Sequence, residues 1–292
     1  METDLRCSSQ ARALGSDPGG SAVAADAFLV IEVPLPWPTD IGDHRAVIAA
    51  AEAIKAVGAR VQGVVPPRDD AAQAQAVLYS HEGGPFTRYV RRDACLDAAD
   101  LSSGICSLAE APVVDDGTRD LLVCTHGARD RCCGAMGTTL AMNVASRNGL
   151  HVRRTSHLGG HRFAPTALLL PEGTAWAWLD DALLETILER SGDLGAVLPH
   201  YRGSTVMPTP ALQLLERAAF GEVGWAFLDA SRAGTMVSVN GARTTVHLET
   251  SLGAWTGVVE KLGTVPQPVC GAELSEAKKT DDVLKLVEFR QD

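Results

Sequence analysis

Between residues 27 and 192 the chain spells out the same order of elements twice, and this repetition constrains the fold more than any other feature. The apolar, β-branched run AFLVIEV (27–33) predicts a buried strand. HRAVIAAAEAIKAVG (44–58) has helical composition and spacing, and ARVQGVV (59–65) predicts a second strand. QAVLYSHEGGPFTRYVRR (75–92) then predicts two strands about a Gly-Gly-Pro turn, followed by helix and loop to about residue 110. The second pass begins with the strand RDLLVC (119–124), the helix GTTLAMNVASRNG (137–149) and the strand LHVRRTS (150–156). It continues with a hairpin around Pro-Glu-Gly in TALLLPEGTAWAWLD (166–180), in which Trp176 and Trp178 are expected on one strand face, and closes with the helix DALLETILERSG (181–192).

Each pass reads β-α-β-β-β, the order of a thioredoxin-like sheet, so the expected class is α/β with two related units. Any crossover that joins parallel strands should be right-handed. The expected boundaries are an irregular lead-in (1–25), an N-terminal α/β unit (26–112), a second unit (113–194) and a small α+β C-terminal region (195–292). In that last region a helix and a small antiparallel sheet are expected, with the charged tail AELSEAKKTDDVLKLVEFRQD helical or partly mobile.

The second unit differs from the first in its chemistry. CTHGARDRCCG (124–134) and RTSHLGGHRFAPT (154–166) mark a span, Cys124 to His161, that holds three of the seven cysteines and four of the eight histidines. Cys124 falls where a strand ends, and Cys133 where the next helix begins. The free N–H groups and partial positive charge of a helix start favour a thiolate there, at Cys133 or its neighbour Cys132. His157 and His161 follow as H-x3-H, with Gly159 and Gly160 between them. Two glycines make poor helix interior, so a tight turn with both imidazoles facing inward is expected.

Two thiolates and two imidazoles suit zinc, although C-x8-C is wide for a zinc knuckle. They also suit a [2Fe–2S] cluster of mixed ligation, although the C-x-H…C-x2-H spacing of Rieske centres is missing. A thiol–disulfide oxidoreductase using Cys132 and Cys133 is a third reading. It is weakened because the chain has no C-x-x-C, the usual arrangement of such enzymes.

LLVCTHGARDRCCGAMG, RTSHLGGHRFAPTALLLPEG and the N-terminal RCSSQARALGSDPGGSA together resemble the sucrase/ferredoxin-like family, with weaker echoes in YRGS and PVCG. The resemblance implies a thioredoxin-like ferredoxin domain with a [2Fe–2S] cluster held by Cys124, Cys133, His157 and His161, Cys132 being a substitute ligand. It also implies single-electron transfer with a redox partner protein, a reductase or an acceptor. No pair of carboxylates stands in a glycosidase-like context, so a sucrase activity is not carried over.

The remaining composition narrows the setting. A net charge of -10 argues against nucleic-acid and anionic-membrane partners. The greasiest run is broken by Asp26, Glu32 and prolines, no apolar signal core opens the sequence, and seven scattered cysteines do not form a secreted framework, so a reducing cytoplasm is expected. Against the overall charge, residues 121–161 carry five arginines (129, 131, 147, 153 and 154) and the single acid Asp130. Such arginines would favour the reduced form of a cluster, and histidine ligation would raise its potential and make it fall with rising pH. Arg129 is expected to pair with Asp130, and His126 to hydrogen-bond near the site. Cys7, Cys95, Cys106 and Cys270 are expected to be ordinary thiols.

Overall fold

The AFLVIE run forms a strand buried along almost its entire length, as expected for a strand covered on both faces. The computed structural model describes residues 5–67 and 72–292 of the chain. A short helix, α1 (Cys7–Ala13), opens it where an irregular lead-in was expected. Its buried residues Cys7, Ser8 and Ala11 fall at i, i+1 and i+4, one helical stripe too short to stand out in the sequence. Strand β1 (Ala27–Glu32) is followed by α2 (Arg45–Ala49) and α3 (Ala51–Ala56). The expected single helix is interrupted at the buried Ala50, whose backbone leaves helical geometry (φ -102°, ψ 8°). Strand β2 (Arg60–Val64) returns parallel to β1, and β3 (Gln73–Ser80) and β4 (Val90–Asp97) complete the unit as an antiparallel pair before α4 (Leu101–Ala109).

The second unit repeats this plan. Strand β5 (Arg119–Cys124), α5 (Thr138–Asn143) and β6 (Leu150–Thr155) make a parallel crossover, and β7 (Ala167–Leu170) and β8 (Thr174–Trp176) an antiparallel hairpin, followed by α6 (Asp181–Glu189). Both units lie in one nine-stranded sheet of order β4-β3-β1-β2-β6-β5-β7-β8-β9. The order within the first unit is thus mirrored in the second, and the fold is the mixed α/β class that the repeated pattern predicts. The two units meet where β2 and β6 pair through Val64 and Thr155. Backbone bonds from Val65 N–H to the Arg154 carbonyl (2.9 Å) and from Ser156 N–H to the Gly63 carbonyl (2.7 Å) extend that seam. Strand β8 ends at Trp176. Trp178, with φ of 48°, turns instead to pack edge-on against Phe163 at 5.3 Å, so the two tryptophans do not share a strand face.

Helix α7 (Leu194–Val197) leads into the edge strand β9 (Tyr201–Ser204) and then α8 (Pro210–Val223), which is capped by the Thr209 side chain. Helix α8 packs against a separate antiparallel sheet of β10 (Arg232–Asn240), β11 (Arg243–Thr250), β12 (Gly253–Pro266) and β13 (Thr280–Gln291). The charged tail is therefore a strand. Its apolar residues fit either period, and the long partner β12, paired from Pro266–Thr280 to Trp255–Gln291, decides between them. Among the described residues no helix is long and apolar enough to cross a membrane.

The two sheets are tied by a buried ion pair. Arg232 on β10 meets Glu216 on α8 at 2.9 Å, both fully buried, and Glu216 accepts the Ser204 backbone N–H (2.8 Å) at the edge of the large sheet. Removing one partner leaves a buried charge uncompensated, which costs far more than the net value of the pair. Arg232→Met should therefore lose about 3–5 kcal/mol in urea unfolding. A midpoint like that of the unaltered chain would show that the pair does not hold the sheets together.

Candidate metal centre

Strand β5 delivers Cys124 at its C-terminal end, and the chain loops through residues 125–130 before helical geometry resumes at Arg131. Residues Cys133–Gly137 form a π-helical turn ahead of α5, a local widening that often accompanies functional sites. The Asp130 carboxylate caps this start, one oxygen accepting the N–H groups of Cys132 (2.8 Å) and Cys133 (3.3 Å). Gly137 lets the turn sit directly on the strand end, because a Cβ there would overlap the Cys124 carbonyl oxygen. Cys133 is thereby placed beside Cys124, and Cys132 is turned away from it.

Cys124 and Cys133 are both fully buried. The Cys133 thiol donates to Cys124, which holds the Cys124 thiol well below its ordinary range and pushes that of Cys133 up. His157 presents Nδ1 to the Cys124 sulfur at 3.8 Å. Donor atoms of Cys124, Cys133 and His157 lie within 4.8 Å of one another, a group able to hold a metal ion. His126 is buried behind them, as expected. Its Nδ1 accepts the His157 backbone N–H (3.2 Å), so its Nε2 carries the proton donated to the Pro38 carbonyl (2.7 Å). Burial holds its pKa down, consistent with this neutral tautomer.

Gly159 and Gly160 both have positive φ, and the tight turn they make reaches His161. The two imidazole rings are neighbours, 6.2 Å between centroids, but their Nδ1 atoms face different groups. His161 Nδ1 lies 3.1 Å from the second oxygen of Asp130 and 3.4 Å from the Cys7 sulfur. Asp130 therefore engages His161. Arg129 reaches Asp40 at 4.0 Å instead, so the expected Arg129–Asp130 pair does not form.

A second group of thiols lies alongside the first. Cys132 and Cys7 approach the Cys270 sulfur at 3.2 and 3.4 Å, and all three gather around Asp130. Hydrogen bonding among the three drives the Cys270 thiol far down and pushes those of Cys132 and Cys7 up. Cys7 and Cys270 are thus part of the site region and not isolated thiols, whereas Cys95 and Cys106 are exposed.

The positive charge at the site also differs from its sequence pattern. Arg147 pairs with Asp181, and Arg153 with the buried Asp120 (2.8 Å), so neither stands free beside the sulfurs. Arg202, from YRGS on β9, is fully buried against Gly160 and donates to the hydroxyl and carbonyl of Ser21. Burial lowers its pKa to about 10. Arg162 acts in the same direction, and the sulfurs of Cys124 and Cys133 act against it. A cavity of about 590 Å³ opens the region to solvent between His157, His161, Arg129 and Arg162.

The family described as sucrase/ferredoxin-like matches residues 18–203, more than half of the chain and nearly the whole of the nine-stranded sheet. No curated protein and no solved structure matches the chain.

The seat of Gly137 on the Cys124 carbonyl can be tested directly. Gly137→Ala should cost about 1–3 kcal/mol by overpacking, read as an earlier urea transition. An unshifted transition would show that the turn is free to move away from β5.

Proposed function

The chain belongs to the sucrase/ferredoxin-like family, and on that premise we propose that it is an electron-transfer protein whose [2Fe–2S] cluster is held by Cys124, Cys133, His157 and His161. The donor set supports this reading. Three of the four side chains already share one group, the two cysteines buried and His157 half-buried, and His161 stands next to His157. The Asp130 contact at His161 Nδ1 leaves Nε2 as the ligating atom, with the carboxylate fixing the ring orientation, a common partnership for metal-bound histidine.

Arg202 carries the most weight. Oxidised, such a cluster with two thiolates and two neutral imidazoles has no net charge, and on reduction it becomes an anion. A fully buried guanidinium packed at the Gly159–Gly160 turn, on whose charge the Cys124 and Cys133 sulfurs act, favours the anionic state. A zinc ion on the same ligands has no second redox state for that charge to select. When bound, the cluster supplies reversible one-electron transfer, and the chain's own residues bury it, orient its ligands and set its charge environment. The cysteines are sealed off while both imidazoles line the solvent cavity, so a redox partner protein would dock over His157 and His161.

The full chain, purified anaerobically after iron-replete expression, should be red-brown and give an S = 1/2 EPR signal only after dithionite. His157→Cys and His161→Cys should each shift the g-values. A colourless protein whose Cys124 and Cys133 hold zinc would sink the electron-transfer reading. Arg202→Met should lower the midpoint potential by on the order of tens of millivolts, since a buried positive charge is removed. A potential that stays in place would deny Arg202 that role.

A further inference from the structure

We propose that Cys7, Cys132, Cys270 and Asp130 form a second metal site, for one zinc-type divalent cation, which staples the N-terminal helix and a C-terminal loop over the first group of ligands. Cys7 and Cys270 lie outside the stretch matched by the family, one on either side of it, so this site does not follow from that match. It also stands on its own geometry and does not depend on the cluster reading.

The donor atoms of these four residues lie within 4.8 Å of one another. Three sulfurs on a tetrahedral zinc ion stand about 3.8 Å apart, given Zn–S bonds of about 2.3 Å. The observed separations of 3.2 and 3.4 Å from Cys270 to Cys132 and Cys7 need only a small expansion to reach that. A disulfide would require a sulfur pair to close to about 2.05 Å, and would leave the third thiol and the carboxylate without a partner. One sulfur is also hydrogen-bonded as a metal thiolate is. The Cys7 backbone N–H points at the Cys270 sulfur (3.5 Å).

The carboxylate can serve both groups. Asp130 Oδ1, the capping oxygen, lies 3.7 Å from the Cys270 sulfur, Oδ2 faces His161, and both oxygens stand 3.6 Å from the Cys7 sulfur. The segments so joined are far apart in sequence and otherwise lightly tied. Gly271 N–H donates to the Leu5 carbonyl (2.9 Å), and the Gln10 side chain to that of Ala272 (3.0 Å). A shared cation converts these contacts into a closed loop spanning most of the chain.

The test is metal analysis of the full chain, expressed with iron and zinc both replete and purified anaerobically. One zinc per chain is expected. In Cys7→Ser and in Cys270→Ser, zinc should fall at least fivefold, whereas Cys124→Ser should keep it. Should the serine variants fail to fold, zinc-edge X-ray absorption on the unaltered chain decides, with three sulfurs and one oxygen expected around the metal. The proposal is overturned by zinc-free protein, by zinc that survives both serine changes, by iron at these thiols, or by an intact mass showing a disulfide among them. A shell of two sulfurs and two nitrogens would also overturn it, placing zinc at Cys124 and Cys133 and ending the electron-transfer reading at the same time. Loss of iron alone would bear only on the latter.

Discussion

The organisation of the site depends on one carboxylate. Asp130 is the only acid in residues 121–161 and is almost fully buried, among three thiols and an imidazole. Burying an ionised carboxylate is costly unless it is hydrogen-bonded and paired. Asp130 meets that requirement by capping the helix start with one oxygen and receiving His161 on the other. The cap orients the turn so that consecutive cysteines point to opposite sides, Cys133 towards Cys124 and Cys132 towards Cys7 and Cys270. With an alanine at this position, the cap and the His161 contact would be lost together.

The paired units explain why the chemistry occupies only one of them. Where β5 ends in Cys124 and its loop, β1 ends in Glu32 and runs into the proline-rich stretch 33–40. That stretch serves as cover for the second unit. The Pro38 carbonyl fixes the His126 tautomer, Trp37 packs edge-on against the same ring at 5.4 Å, and Asp40 meets Arg129. Two similar halves thus divide the work, one presenting ligands and the other closing over them across the β2–β6 seam. A repeated fold with an unrepeated site is the expected outcome when function resides in loops and the sheet only positions them.

The parts of this arrangement legible in the sequence are those decided by local pattern. Buried strands show as apolar runs, so β1, β5 and β7 are readable, and the spacing of Cys124, Cys133, His157 and His161 marks a ligand-rich turn. Properties settled by partners distant in sequence are hidden. The tail becomes a strand because β12 lies beside it. Five nearby arginines suggest a basic site, yet Arg147 and Arg153 are consumed by Asp181 and Asp120, and the cation fully buried against Gly160 is Arg202, some forty residues downstream. The only trace of it in the sequence is the YRGS echo. Likewise Cys7 and Cys270, 263 positions apart, cannot announce that they meet.

The distribution of the core bears on how the metal groups couple to stability. The largest apolar cluster lies away from the thiols and joins α6, α8 and the C-terminal sheet to one face of β5 and β7. The thiols belong to a smaller cluster on the other face, with Phe28, Tyr79 and Leu168. Buried side chains that alternate along β5, Leu121 and Val123 on one face and Leu122 and Cys124 on the other, separate the two. The sheet therefore has enough apolar packing on its far face to stand without the metal ligands, whereas α1 and the loop around Cys270 rest on the thiol side. Metal binding supplies folding free energy chiefly to the parts that cannot fold without it. At the proposed second site a bound cation would add to the contacts that already hold α1 and the loop around Cys270, such as the Ser8 hydroxyl on the Ala164 carbonyl (2.6 Å) and the Gly271 N–H on the Leu5 carbonyl (2.9 Å).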